Sequence, residues 1–133
     1  MYTGSDVIDV DMPRVRAVNK KNLNHNGDYV LYWMTATRRY HYNSALERAI
    51  DLAKDLSKPL LVIECISIRH QFSSERILTF VVQGMVDNNQ IFRDKKLTYI
   101  PWIENHKDSG DGMLRKLSEK AIIVIVDDYP TYV

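Results

Sequence analysis

The sequence predicts a three-layer α/β domain, with a mostly parallel sheet of four or five strands and helices on both faces. Three observations predict it. Four apolar runs punctuate the 133 residues, and three of them are nearly continuous instead of alternating, as strands covered on both faces are. Stretches with the helical period of about 3.6 residues separate the runs. The order strand, helix, strand, helix, strand, helix, strand then calls for right-handed crossovers, which make neighbouring strands parallel.

Residues 1–28 read as an amino-terminal arm, polar and broken up, closing in Asn26-Gly27, a strong turn signal. Residues 29–133 form the domain, which opens on the first strand, Tyr29-Val30-Leu31-Tyr32-Trp33-Met34. Ser44-Ala45-Leu46-Glu47 fits a capping box with Ser44 as the cap, and Ala45, Leu46, Ala49, Ile50, Ala53 and Leu56 continue it as one apolar stripe. Lys58-Pro59 ends that helix, and the second strand runs from Leu60 to Ile66. A second helix begins at Ser73-Ser74-Glu75 and reaches about Asp94, with Leu78, Val81, Val82, Met85, Asn89 and Phe92 on one face. Gly84 inside it costs about 1 kcal/mol relative to Ala, which predicts close packing at that point. The third strand covers Leu97 to Ile100. The third helix is short, from Asp111 or Gly112 to Lys120, with Met113, Leu114 and Leu117 inward, and Ala121 to Val126 makes the fourth strand. The whole is Rossmann-like.

Composition narrows the function. At 45% apolar and 26% charged, the chain has enough apolar substance for one ordinary core. Lys and Arg number 18 against 17 Asp and Glu, a net charge of +1 with a pI near 7.8. That balance argues against a protein that holds nucleic acid or anionic membrane by bulk positive charge. The single cysteine, Cys65, excludes an internal disulfide framework and makes a reducing cytoplasm the default. No stretch approaches the roughly 18 to 20 apolar residues that cross a bilayer, and the first residues lack the apolar centre of a signal peptide. There is no low-complexity run and no internal repeat.

Ligands of open α/β sheets bind beyond the carboxyl ends of the strands, where strand order reverses. Of the loops this rule selects, Met34 to Asn43 is the most unusual, with two hydroxyls, Arg38, Arg39 and two phenols just before a helix. Free backbone amides, the helix dipole and a planar guanidinium suit an anion or a polarised carbonyl oxygen. Equally, the two arginines suit solvated surface ion pairs. Asp127-Asp128 ends the fourth strand, either as a cap or as carboxylates for Mg²⁺ or ligand donors. Glu64 sits within an apolar strand and requires a partner or a proton. Neither G-x-G-x-x-G after the first strand nor G-x-x-x-x-G-K-[ST] is present, so glycine-dependent phosphate loops are missing. His25, His41, His70 and His106 lack ligand-like spacing, and Cys65 fits a small buried hydrophobe. Serines fall at helix starts, where capping explains them. Nothing assembles a nucleophile with its base and oxyanion donors, so the local chemistry points to binding and not to catalysis.

Beyond composition and spacing, Tyr29 to Met34 with Arg38-Arg39 and Asn43, then Ala45-Leu46, Ala49, Lys58-Pro59-Leu60, Arg76, Phe80, Gly84-Met85, Asp87-Asn88 and Asp127-Asp128-Tyr129-Pro130 form a recognisable set. In these residues the chain from Gly27 onward resembles the amino-terminal α/β domain of DNA photolyases, most closely the class II cyclobutane pyrimidine dimer enzymes. Arg14, Arg16 and Asn19 add a fainter echo in the arm. The sequence departs from the class II pattern at Thr35, where a glutamine is common after Trp-Met, and Arg39-Tyr40 extends the arginine cluster. The resemblance implies an antenna chromophore of the deazaflavin type, held by Trp33, Met34, Thr35, Arg38, Glu64, Cys65, Ile66, Asp127 and Asp128. It implies further that FAD, the lesion and the dimer-splitting electron transfer belong to a separate helical domain in the same or another chain. By that reading the chain ends before the domain's last strand, is not catalytic alone, and does not contact DNA directly.

Two other expectations stand beside this one. If the fourth strand lies at a sheet edge, its uncharged, β-prone backbone recruits another chain, giving a homo-oligomer. A non-catalytic interaction module with a degenerate cleft would need nothing more. A small Mg²⁺ enzyme using Asp127 and Asp128 ranks last, because such families place the reactive Asp after the first strand, where Met34-Thr35 stands here.

Overall fold

The computed structural model describes residues 14–68, 73–104 and 112–129. His70, His106, Asp111, Pro130 and the first 13 residues of the arm lie outside the described residues. The elements are β1 (Tyr29–Met34), α1 (Ser44–Asp55), β2 (Leu60–Ser67), α2 (Glu75–Asp94), β3 (Thr98–Glu104), α3 (Met113–Glu119) and β4 (Ala121–Val126). All three strand pairings are parallel, and the sheet order is β3-β2-β1-β4. The chain therefore winds outward from β1 to β3 and returns to the far side of β1 for β4. This is the predicted α/β class, with its reversal of strand order between β1 and β4.

That reversal divides the helices between the faces. Strand side chains alternate, so Val30, Tyr32, Met34, Leu60 and Val62 pack with Leu46, Ala49, Ala53 and Phe92 on the face covered by α1 and α2. Leu31, Leu61, Ile63 and Ala121 pack with Met113, Leu114 and Leu117 of α3 on the other. Both faces of β1 and β2 are thus dry, which is why these runs read as continuously apolar.

Several expectations change in detail. The cap of α1 is Asn43, whose side chain accepts from the Leu46 amide at 2.9 Å, while Ser44 is already helical. An Asn in extended backbone (φ −121°) precedes the serine and does the same work better placed. β3 runs four residues past Ile100, through Pro101 and Trp102. Pro101 is accommodated because β3 is an edge strand of the sheet, where proline is tolerated. On α2 the inward polar residue is Asn88 rather than Asn89, in line with Met85 and Phe92. Gly84 packs against nothing: a Cβ there would meet no atom within 4 Å. Gly27 is where backbones crowd, since a Cβ would fall 2.4 Å from the Ile122 nitrogen.

The arm follows β4. Asn24 donates its amide to Ile122 O at 3.1 Å near the start of that strand, and Arg16 pairs with Asp128 at 3.1 Å beyond its end. Between these anchors the arm runs antiparallel to β4, and residues 16–22 are exposed.

Candidate site at the carboxyl end of the sheet

The loop leaving β1 meets the end of β4 at the reversal point. Asp127 Oδ2 accepts hydrogen bonds from the amides of Thr35, Ala36 and Thr37 at 2.9, 3.0 and 3.2 Å. Its Oδ1 accepts from Tyr32 Oη at 2.9 Å. Tyr32 in turn accepts from Asn43 Nδ2 at 3.0 Å, and the same amide group donates to Thr37 O and Arg39 O at 3.0 and 2.9 Å. The loop is therefore pinned from the β4 side by a carboxylate and from the α1 side by a helix cap. Burial foremost, with the Asp127 charge adding to it, pushes the Tyr32 phenol far above its ordinary range, so it stays a donor.

A second cluster lies beside the first, across β2. Glu64 is 1% exposed, and its partners account for both oxygens. Arg38 Nη1 reaches Oε1 at 3.3 Å, while Asn88 Nδ2 and Tyr99 Oη donate to Oε2 at 3.1 and 2.6 Å. Arg38 Nη2 also donates to Cys65 O at 3.0 Å, and Arg38 O accepts from Asn88 at 3.2 Å. Tyr99 is stacked on Phe92 with centroids 4.8 Å apart. Its phenol is raised strongly, by burial first and then by the bond to Glu64. The guanidinium and two neutral donors give both oxygens of this buried carboxyl group hydrogen-bond partners.

The residues singled out from sequence separate into groups. Thr35, Arg38, Glu64 and Asp127 come together on the α1 and α2 face, joined through the loop. Met34 is fully buried on that face and touches Asn43. Trp33 and Cys65 belong to the opposite, α3-covered face. Burial, the largest influence, pushes the Cys65 thiol up. Ile66 lies half-buried near the end of β2, and Asp128 is exposed in its pair with Arg16. The nine residues thus straddle the sheet instead of lining one wall. Four residues that hold the site together were not among the predicted site residues, Tyr32, Asn43, Asn88 and Tyr99, although the first three belong to the set that carries the resemblance. Asn88 was findable, as the polar residue spaced between Met85 and Phe92 on the inward stripe of α2. Among the described residues no group of three or more His, Cys, Asp or Glu is placed to hold a metal ion.

Over 114 residues the chain is 31% identical to the deoxyribodipyrimidine photo-lyase of Methanothermobacter thermautotrophicus. Over that stretch the chain is similar to a photo-lyase. The match takes in 86% of this chain and 25% of the photo-lyase, so the chain spans about a quarter of that protein's length. No family model matches it. The similarity to a photo-lyase and the parallel α/β fold agree with the expected photolyase resemblance at the level of a partial region. None of the helices among the described residues is long and apolar enough to cross a membrane.

Proposed function

We propose that this chain is the antenna-chromophore α/β module of a photolyase-related protein, working with a helical FAD-binding domain carried by the same or a separate chain. It does not split dimers by itself and does not contact DNA directly. The observation that supports this is the photolyase relation over 114 residues, on a sheet whose reversal point opens at the aligned loop. A planar deazaflavin-type ring would lie over the carboxyl edge of β1 and β2. There Thr35, Arg38 and Ile66 are half-buried and Met34 and Glu64 form the buried floor, with Asp128 exposed beyond the neighbouring end of β4. The test is absorbance of the purified protein between about 350 and 450 nm, with a thermal shift on adding a deazaflavin. A stabilised, coloured complex supports the assignment. No shift with any flavin, deazaflavin or folate removes it.

A specific observation favours a second reading, an assembly module with a filled cleft. The loop amides and Arg38 are already engaged by Asp127, Glu64 and Cys65. On that reading the β4 edge, where Val124 and Val126 are 39% and 38% exposed, carries a homo-oligomer. Light scattering at high concentration separates the two. Dissociation by Val124→Lys with no effect of Arg38→Ala on ligand supports assembly.

A further inference from the structure

Thr35, Ala36 and Thr37 aim three consecutive amides at one oxygen, Asp127 Oδ2, at 2.9, 3.0 and 3.2 Å. Successive amides converging on one oxygen are how loops hold a phosphate or carboxylate. The anion held here is part of the chain. We propose that Asp127 occupies the phosphate position of the β1–β4 crevice as a built-in anion, so that this module excludes phosphate-bearing ligands from that position.

The carboxylate is well held. β4 is in register with β1 up to Trp33↔Val126, and Asp127 follows directly. Tyr32 fixes the other oxygen at 2.9 Å, and Asn43 fixes the loop through Thr37 O and Arg39 O. An external phosphate must therefore displace a group that is already aligned, at an effective concentration of millimolar or above. It would also approach Asp128, whose carboxylate lies next along the chain. The neighbouring cation gives little help, because Arg38 is engaged by Glu64 and by Cys65 O. The loop from Thr35 to Asn43 contains no glycine that would let it reshape around a larger anion. The inference is independent of the chromophore assignment, since its probe is phosphate and its answer does not change if no deazaflavin binds.

The test is a titration with inorganic phosphate at constant ionic strength, observing the backbone amides of Thr35, Ala36 and Thr37 by NMR. In the wild-type protein these resonances should stay put at about 50 mM phosphate. In Asp127→Ala they should shift saturably, with a dissociation constant on the order of millimolar. Saturable shifts in the wild type overturn the proposal, and so does a flat titration in folded Asp127→Ala. Where the variant is too unstable for NMR, its melting temperature gives the answer. Phosphate at ten times the dissociation constant should raise it by on the order of 5 °C over equal-strength chloride, leaving the wild type unmoved. No rise, or an equal rise in both proteins, overturns it.

Discussion

Among the described residues Arg38 is the one cation bonded to the buried Glu64, and replacing it with methionine gives the clearest measure of the network around that carboxylate. Arg38→Met keeps the length of the apolar stem and removes the contacts at 3.3 Å to Glu64 Oε1 and 3.0 Å to Cys65 O. A hydrogen bond to a charged group contributes about 1.5 to 3 kcal/mol. The Arg38 side chain is 32% exposed, which places the loss toward the low end, about 2 kcal/mol. Glu64→Leu orphans the Tyr99 hydroxyl, which now donates at 2.6 Å, and strands the guanidinium, for about 3 kcal/mol. Asn88 loses less, because it keeps Arg38 O. In the double variant the guanidinium is gone and only Tyr99 is left seriously unsatisfied, so the cost should be about 3.5 kcal/mol instead of about 5. Urea unfolding followed by the fluorescence of Trp33 and Trp102 reads all four proteins. With slopes of about 1 to 3 kcal/mol per molar urea, Arg38→Met should move the midpoint down by about 1 M. If Arg38→Met costs under about 0.5 kcal/mol and the two single effects add, the cluster is a surface ion pair and the reasoning is refuted.

Gly27→Ala places a methyl 2.4 Å from the Ile122 nitrogen and should cost about 2 kcal/mol or more, whereas Gly84→Ala, with open space around it, should stabilise by about 0.5 to 1 kcal/mol. Equal effects in thermal melts would contradict the close approach of the arm turn to β4. Alkaline stability follows from the phenols. The folded-state pKa values of Tyr32 and Tyr99 lie above the ordinary 10.0, so their contribution is complete below about pH 10 and is lost as pH rises beyond it. Unfolding free energies from urea titrations measured upward from pH 9 should fall more steeply for wild type than for Tyr99→Phe, by about 1.4 kcal/mol per pH unit well above pH 10. Parallel curves would show that Tyr99 is not held neutral by its surroundings.

Local sequence determined the element types, because apolar continuity and helical spacing are properties of short stretches. β1, β4 and the extent of α2 are where the pattern puts them, and the continuous runs at β1 and β2 disclosed a sheet covered on both sides. The similarity to a photo-lyase was also legible in the chain itself, as a resemblance over most of its length. What only the tertiary structure decided was the pairing of polar groups distant in sequence. Nothing local says that the carboxylate ending β4 turns onto the amides after β1, 90 to 92 residues earlier. Nor does it say that Glu64 meets Tyr99, Asn88 and Arg38, which arrive from β3, α2 and the loop after β1. Strand order, which depends on the whole set of crossovers, put β4 beside β1, left β3 as an edge that tolerates Pro101, and set Trp33 and Cys65 on the opposite face from Glu64. Periodicity reports which side chains leave water. Where the buried polar atoms find their partners is fixed only when all the strands are in place.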